Sequence, residues 1–151
     1  MQALHFQGEF NVKASKEKVF DILMDPKETS QCMPDLQKLE IKSPDDFVAI
    51  VRAGVGFIKG DFTLHFNMVD KNPPTHAKLT ARGTGMGSTL DMAAVMELSD
   101  TPEGGTSMKW VADVNIGGKI ASLGQRILDG QAEKIIKQLF ECLQKRVESV
   151  V

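Results

Sequence analysis

The stretch MKWVADVNIGGKIASLGQRILDGQAEKIIKQLFECL, residues 108–143, changes its apolar periodicity at the glycine pair Gly117–Gly118. Before the pair, every second residue is apolar, which is typical of a strand with one buried face. After the pair, apolar residues recur at helical spacing, which predicts one long amphipathic helix interrupted only by Gly124 and Gly130. The helical stripe comprises Ile120, Leu123, Ile127, Leu128, Ala132, Ile135, Leu139 and Leu143.

Alternation upstream of this stretch predicts that much of the chain forms strands. Residues 4–12 alternate and form the first predicted strand. Ser15 then caps a predicted helix that ends before Asp25–Pro26, and a short second helix is predicted over 27–32. The later alternating segments are 47–53, 62–68, 77–81, 90–98 and 108–116.

The order of these elements predicts the fold class. About six strands follow one another without intervening helices, so they are expected to pair as an antiparallel meander. The expected fold is α+β, with a curved antiparallel sheet of about seven strands wrapped on a long C-terminal helix. Two short helices follow strand 1, and one domain spans 1–151. A sheet curled around one helix leaves space between the two layers, and that space is the expected ligand site.

The composition favours a binding protein over an enzyme. The chain has 8 Met and 8 Phe but no Tyr, which removes one common general acid. Flexible Met side chains at inward strand positions suit an adaptable apolar pocket. The formal net charge is -2 and no basic tract stands out, so nucleic acid is not an expected partner. No apolar run is as long as a membrane span, so the expected location is cytoplasmic, with peripheral contact at most at the inner face of the membrane.

Motifs that bind phosphate or metal are incomplete in this sequence. The glycines of 83–87 lack the spacing and the following helix of a dinucleotide fingerprint, and they are expected to form a flexible hairpin connection. Gly118–Lys119 does not complete a phosphate-binding loop, because Asp113 stands where glycine is required and Ile120 where serine or threonine is required. The three histidines share no metal-ligand spacing, so no metal site is expected.

The cysteines and carboxylates suggest no catalytic residue. Cys32 and Cys142 are far apart and form no CxxC motif, so no disulfide framework is indicated. Cys32 is expected to be a small buried side chain. Four carboxylates fall in predicted turns or at outward strand positions, so no acid–base pair is predicted. They are Asp45, Asp46, Asp91 and Glu97.

Two segments suggest how a ligand could be handled. Three glycines within 54–60 frame Phe57 and Ile58, beside Lys59, in a predicted turn. This tip could gate a pocket or touch a membrane, or its apolar pair could tuck under the hairpin. Gln131 lies on the helical stripe that faces the sheet, where its amide could hold a ligand's carbonyl or bond to a backbone group or a water.

The order of elements resembles the helix-grip fold of the START and birch-pollen-allergen (SRPBCC) superfamily, whose members enclose hydrophobic ligands between sheet and helix. Within it, the chain closely resembles the carbon monoxide dehydrogenase G-subunit family. The specific match is 112–126, and Asp35 departs from the family pattern, which has glycine after the Cys-x-Pro motif. The weaker matching segments are 8–10, 25–26, 32–34, 54–56, 59–60 and 129–130.

The resemblance implies a non-catalytic accessory protein that binds an isoprenoid quinone or lipid and holds no covalent cofactor. It implies membrane recruitment of, or quinone delivery to, a CO dehydrogenase-type molybdenum hydroxylase. Many members carry a C-terminal membrane-binding extension, whereas this sequence ends at Val151. The expected lining residues of the hydrophobic pocket are Phe62, Leu64, Phe66, Leu79, Leu90, Met92, Met96, Trp110, Ile120, Leu123, Ile127 and Gln131. The expected gate or membrane contact consists of Phe57, Ile58 and Lys59.

Two alternative functions stay open on the sequence. The superfamily also includes cyclases and hydrolases that act on hydrophobic substrates, and such an enzyme requires convergent polar groups inside the pocket. A docking protein with a filled core would instead use its outer face. A buried Asp–His or Glu–His pair would favour the enzyme, and the lack of a cavity would favour the docking protein.

Overall fold

A computed structural model describes residues 2–55 and 58–149. Its seven strands form one sheet in the order β1-β7-β6-β5-β4-β3-β2, with every neighbouring pair antiparallel. This architecture confirms the predicted α+β fold. The elements are β1 (Gln2–Val12), α1 (Lys16–Leu23), α2 (Pro26–Ser30), β2 (Leu36–Ser43), β3 (Asp46–Val55), β4 (Ile58–Asn72), β5 (His76–Gly85), β6 (Ser88–Asp100), β7 (Thr106–Gly118), a 3-10 turn (Ala121–Leu123) and α3 (Gln125–Ser149).

The two short helices begin at the residues that cap them. Ser15 Oγ accepts a hydrogen bond of 3.3 Å from the Lys18 backbone N–H, which confirms the predicted cap of α1. Asp25 caps α2 in the same way, accepting from the Lys27 N–H at 3.0 Å. The second helix starts at Pro26 and not at residue 27, because proline fits the first helical position, where its missing N–H is not needed.

The long helix begins later than the sequence predicted. Ala121–Leu123 form a 3-10 turn, and Gly124 has φ of 90°, a left-handed conformation that cannot continue a helix. The Ile120 N–H donates 2.9 Å to Ser88 Oγ, which fixes the turn to the start of β6. The regular helix therefore starts at Gln125, and the apolar positions before it belong to the turn.

The predicted apolar stripe of α3 is buried at some positions and exposed at others. Ile127 and Ile135 are 47% and 40% exposed, so the predicted burial of the stripe is wrong at these two positions. Leu128 and Leu143 of the predicted stripe are buried, as is Val147, one turn further along. The exposure of Ile127 and Ile135 depends on how the helix lies against the sheet, which spacing within one helix does not specify.

The β5–β6 connection is tighter than predicted. Gly83 and Gly85 belong to β5, and only Met86 and Gly87 lie between the strands, with φ of 53° and 68°. Two consecutive positive φ values are typical of a two-residue hairpin turn whose twist matches the strands. The expectation of a flexible glycine-rich connection over 83–87 is therefore wrong, because two of its glycines are paired in the sheet.

Asp35 adopts a backbone conformation that favours glycine. Its φ is 51°, in the left-handed region that costs a residue with a Cβ more than it costs glycine. Aspartate is among the few other residues that tolerate this region. The left-handed turn after Pro34 therefore gives a physical reason for the glycine of the family pattern at this position.

The core is divided into three clusters rather than one. The first cluster joins α1 to the C-terminal half of α3 and includes Phe20, Leu143 and Val147. The second lies around the start of α3 and includes Phe62, Ile116, Ile120 and Leu128. The third lies on the strands far from α1 and consists of Phe47, Ala49, Phe66 and Ala81, with Met33, Leu36, Leu39, Leu64, Leu79 and Met92 packed against them. The sheet is thus covered mainly at the two ends of the helix.

Cys32 and Cys142 form a disulfide, although their spacing indicated no disulfide framework. Their Cα atoms are 5.5 Å apart although 110 positions separate them in sequence. Cys32 is buried, as expected, but as one half of this bond. The spacing of the two cysteines in the sequence does not predict this bond, because their proximity depends on the packing of α2 against α3.

Replacing Thr106 by valine is expected to lower the free energy of unfolding by about 1–3 kcal/mol. Thr106 is fully buried, and its hydroxyl donates 2.6 Å to the Ala14 carbonyl. Valine keeps the shape but leaves that buried carbonyl without its donor. Thr106→Ser keeps the donor and should cost less, so denaturant unfolding of the two variants tests the hydrogen bond. A larger loss for Thr106→Ser than for Thr106→Val would show that the methyl group, not the hydroxyl, carries the stability.

Candidate functional site

The concave face of the sheet carries most of the side chains predicted to line a pocket. Phe62, Phe66 and Ile120 are buried in the clusters. The residues toward the middle of the sheet keep part of their surface accessible, which is unusual for a filled core. The partly exposed members are Leu64, Leu79, Leu90, Met92, Met96 and Trp110 on the strands, Leu123 in the 3-10 turn and Gln131 on α3. The strand members of the predicted set therefore share one face of the sheet, whereas Ile127 is 47% exposed on α3.

Two glycines let large side chains lie flat on this face. A Cβ at Gly83 would come within 2.4 Å of Phe62 Cε1 and 2.8 Å of Leu64 Cδ2. A Cβ at Gly8 would come within 2.9 Å of the Trp110 ring at Cζ2. Both glycines therefore provide space that a larger residue would take from an aromatic ring. Neither position carries a local sequence signal for this role, so neither was predicted.

An aromatic cluster connects the sheet to α3. The Phe140 ring lies with its centroid 5.0 Å from that of Phe10, stacked at an interplanar angle of 27°. Its centroid is 5.2 Å from that of Trp110. Such contacts hold α3 against β1 and β7 at the edge of the first cluster.

A groove of about 430 Å³ opens between the edge strand β1 and α3. Phe6, Trp110 and Ile136 supply its apolar surface, while Glu133 and Lys137 supply charge from the helix. Its remaining lining residues are His5 and Gln7. Of the predicted pocket residues, Trp110 is the one that lines this groove. The others were not predicted, because spacing within α3 does not specify which of its sides faces β1.

His5 places a titratable group at the polar lip of the groove. Its Nδ1 lies 2.6 Å from Asp113 Oδ1 and its Nε2 lies 3.3 Å from Gln7 Oε1. The hydrogen bond with Asp113, followed by the one with Gln7, raises the pKa of His5 above its usual 6.5. The lip therefore keeps its positive charge to a higher pH than a free imidazole would.

A second groove of about 420 Å³ lies away from the concave face. It is bordered by the α1–α2 junction and by the β2–β3 hairpin. Its lining residues are Met24, Asp25, Pro26, Lys27, Ile41 and Pro44. None of the predicted pocket residues contributes to it.

The predicted gate falls partly outside the described residues. Phe57 is not among them. Ile58 begins β4, pairs with Val55, and packs against the second cluster, and Lys59 is exposed. The position of Ile58 corresponds to the tucked alternative rather than to an exposed tip.

The outward-facing histidines and carboxylates pair with one another or with lysine and arginine. Each of the four carboxylates considered as acid–base candidates lies beside a basic side chain on the outside of the molecule. The pairs are His65–Asp46, His76–Glu97, Arg82–Asp91 and Lys71–Asp45. Among residues 2–55 and 58–149, no group of three or more His, Cys, Asp or Glu side chains could hold a metal ion.

A seven-stranded antiparallel sheet around a long C-terminal helix, with an apolar concave face, defines a protein of the helix-grip class. The chain belongs to the carbon monoxide dehydrogenase G-subunit (CoxG) family, whose sequence profile matches residues 8–148. This finding confirms the resemblance carried by the sequence motifs. No curated protein matches the chain at a significant level.

Solved structures share the fold. A conserved protein from Geobacillus kaustophilus is 30% identical, with a TM-score of 0.88 over 95% of each chain. A START superfamily protein from Mycobacterium smegmatis is 13% identical, with a TM-score of 0.70 over 99% of each chain. The Zhui aromatase/cyclase from Streptomyces sp. R1128 is 13% identical, with a TM-score of 0.72 over 97% of this chain and 94% of its own. The last two show likeness of fold alone.

Proposed function

We propose that this protein is a non-catalytic carrier that holds a hydrophobic molecule, an isoprenoid quinone or a lipid, between the sheet and α3. The observation that supports the proposal most directly is the division of the core. The clusters lie at the two ends of the helix and on the far strands, while apolar side chains at their borders keep accessible surface, such as Met92 beside the third cluster and Met96 beside the first. Apolar surface of this kind gains free energy when a ligand covers it.

The chemistry of the face suits a long apolar tail. Burial contributes roughly 0.8 kcal/mol per CH₂, so a tail of isoprenoid length needs few polar contacts to bind. The methionines can adjust their side chains to different tails. Gln131 is partly exposed, and its side chain makes no hydrogen bond to any residue in the described part of the chain. Its amide is therefore available to a ligand's carbonyl.

The groove between β1 and α3 is the proposed way into this space. Trp110 belongs both to the concave face and to the groove, so a molecule that enters beside Phe6 and Ile136 meets the interior face directly. Charged side chains at the lip, Glu133 and Lys137, suit the polar end of an amphiphile that leaves its tail inside.

The proposed partner is a CO dehydrogenase-type molybdenum hydroxylase, to which the carrier would bring a quinone at the membrane. Membership of the CoxG family, which is named for carbon monoxide dehydrogenase, supports this assignment. None of the helices within the described residues is long and apolar enough to cross a membrane. Peripheral contact is therefore the form of membrane association proposed.

The assignment of a non-catalytic role rests on the concave face. The pocket residues named from β4 to β7 carry no titratable side chain, and the nearby carboxylates and histidines pair on the outside. An acyl-transfer, cyclising or hydrolytic site would need an acid, base or nucleophile aimed inward.

Binding of menaquinone in detergent-free solution tests the proposal. Trp110 is the one tryptophan of the chain, so its fluorescence reports on the proposed site without a label. We expect saturable quenching by menaquinone, and a co-purifying quinone or lipid in mass spectra of organic extracts. Absence of both signals would favour a docking protein with a filled interior. Chemical conversion of an added polyketide or ester substrate would favour an enzyme.

A further inference from the structure

Two links join the α2 region to α3 at the same place. One is the Cys32–Cys142 disulfide, which ties a residue just after α2 to a residue near the end of α3. The other is an ion pair in which Arg146 Nε and Nη2 donate to Glu28 Oε2 at 3.0 and 2.7 Å. The covalent link is the stronger, since an ion pair with both side chains more than a third exposed contributes little and is screened by salt.

The segment held by these links borders the apolar interior. Cys32 belongs to the first cluster, and the next residue, Met33, packs against the third cluster on the far strands. At its other end, the Asp35 carbonyl accepts 2.9 Å from the Arg52 N–H of β3. The residues from Pro26 to Asp35 therefore connect α3 to β3 and to the third cluster.

The two cysteines of the disulfide differ in burial. Cys32 is only 6% exposed, whereas Cys142 is the more exposed residue, on α3 at the border of the first cluster. Attack by a thiolate is therefore assigned to the Cys142 sulfur, with the Cys32 sulfur leaving as a thiolate into the protein. Thiol–disulfide exchange proceeds through such an attack and depends on access to the sulfur attacked.

We propose that the Cys32–Cys142 pair is a redox latch that controls how firmly segment 26–35 closes the apolar interior, and so how fast a bound ligand leaves. The effect on ligand release depends on the function proposed above. A dithiol reductant opens the latch. Its first thiolate attacks Cys142 and forms a mixed disulfide, and its second thiol then displaces Cys142. The protein gains two electrons and two protons as two thiols, and the reductant becomes a disulfide.

The open latch leaves segment 26–35 attached to α3 by the Glu28–Arg146 pair. The left-handed Asp35 and the non-helical residues 31–35 give this segment a point at which it can bend. In a reducing compartment, dithiol proteins keep accessible disulfides reduced. Reduction of the Cys32–Cys142 bond would speed ligand exchange, and its oxidation would slow it.

Hydrogen exchange followed by mass spectrometry tests the latch without any ligand. The oxidised protein, the protein reduced with dithiothreitol, and the double variant Cys32→Ser/Cys142→Ser are compared at 25 °C. We expect amides of 26–35 to exchange at least tenfold faster in the reduced protein and in the double variant. Amides of the central strands β5 and β6 should exchange at unchanged rates. Unchanged exchange in 26–35 would overturn the latch. Equally faster exchange throughout the sheet would also overturn it, because the disulfide would then be a crosslink that stabilises the whole fold.

Release of menaquinone, followed by recovery of Trp110 fluorescence, then tests the consequence. We expect release from the reduced protein to be at least fivefold faster, with the double variant insensitive to dithiothreitol. If menaquinone binds but leaves the oxidised and the reduced protein at the same rate, the latch is overturned and the carrier function still stands. Failure to bind menaquinone in either state, with a clear exchange difference in 26–35, would instead count against the carrier function.

Discussion

Ala94→Phe is expected to weaken menaquinone binding about a hundredfold, because four displaced methylenes at ~0.8 kcal/mol each amount to ~3 kcal/mol. Ala94 lies at an inward position in the middle of β6, paired with Leu79 on one side and Ala112 on the other. It keeps part of its surface accessible. A phenyl ring at this position would fill the space proposed for the tail. Titration of Trp110 fluorescence measures the change in affinity.

Ala93→Phe is the matched control. Ala93 is the preceding residue of the same strand, is also partly exposed, and pairs with Thr80 and Asp113. Successive side chains of a strand point to opposite faces, so this ring would lie on the convex surface. The affinity of the Ala93→Phe variant for menaquinone should equal that of the unsubstituted protein. Equal affinities of the two variants would place the ligand outside the sheet–helix interior and contradict the proposed function.

Gly118→Ala is expected to lower the free energy of unfolding by roughly 2–5 kcal/mol, from a left-handed strain of ~1–2 and an overpacking cost of ~1–3. Gly118 has φ of 84°, and a Cβ there would come within 2.2 Å of the Gly87 carbonyl oxygen and 2.8 Å of Ser88 Cα. Both contacts are with backbone, which cannot rotate away. For a chain of this size the loss corresponds to a fall in Tm of about 10 °C.

Two other glycines separate the sources of this loss. Gly124 also has a positive φ, of 90°, with ψ of 159°, but an added Cβ meets nothing within 4 Å, so Gly124→Ala should cost only the ~1–3 kcal/mol of backbone strain. Gly130 lies inside α3 with the same open space, and Gly130→Ala should stabilise the protein by about 0.5–1 kcal/mol. Thermal unfolding of the three variants checks this order. If Gly118→Ala lowers the free energy of unfolding no more than Gly124→Ala does, the hairpin at Gly87 moves to accommodate the added Cβ.

The elements of the fold could be predicted because they depend on local periodicity. Alternation in segments such as 62–68 and 90–98 identifies the strands, and Ser15 and Asp25–Pro26 mark helix boundaries by hydrogen bonds within a few residues. Strand β2 was not located, since Leu36–Ser43 is mostly exposed and lacks a clear alternation of apolar residues. An edge strand with little burial leaves little pattern in the sequence.

The candidate site could be predicted only on its sheet side. An inward position on a strand follows from alternation, so Met92, Met96 and Trp110 were placed on the concave face from the sequence. The helix side was only partly predictable from spacing, since Ile127 belongs to the apolar stripe but is exposed, whereas Ile136 lies outside the stripe and lines the groove. As a result, Ile136 and Lys137 of the groove were missed.

The sequence by itself determined every strand except β2, the concave apolar face and the family, because each depends on local periodicity or on a contiguous motif. The tertiary structure alone decided the side of α3 that meets β1, the Cys32–Cys142 bond and the space that Gly8 and Gly83 leave for rings. These features depend on how elements up to 110 residues apart are packed together. Periodicity within one element carries no information about the rotation and distance of its neighbour.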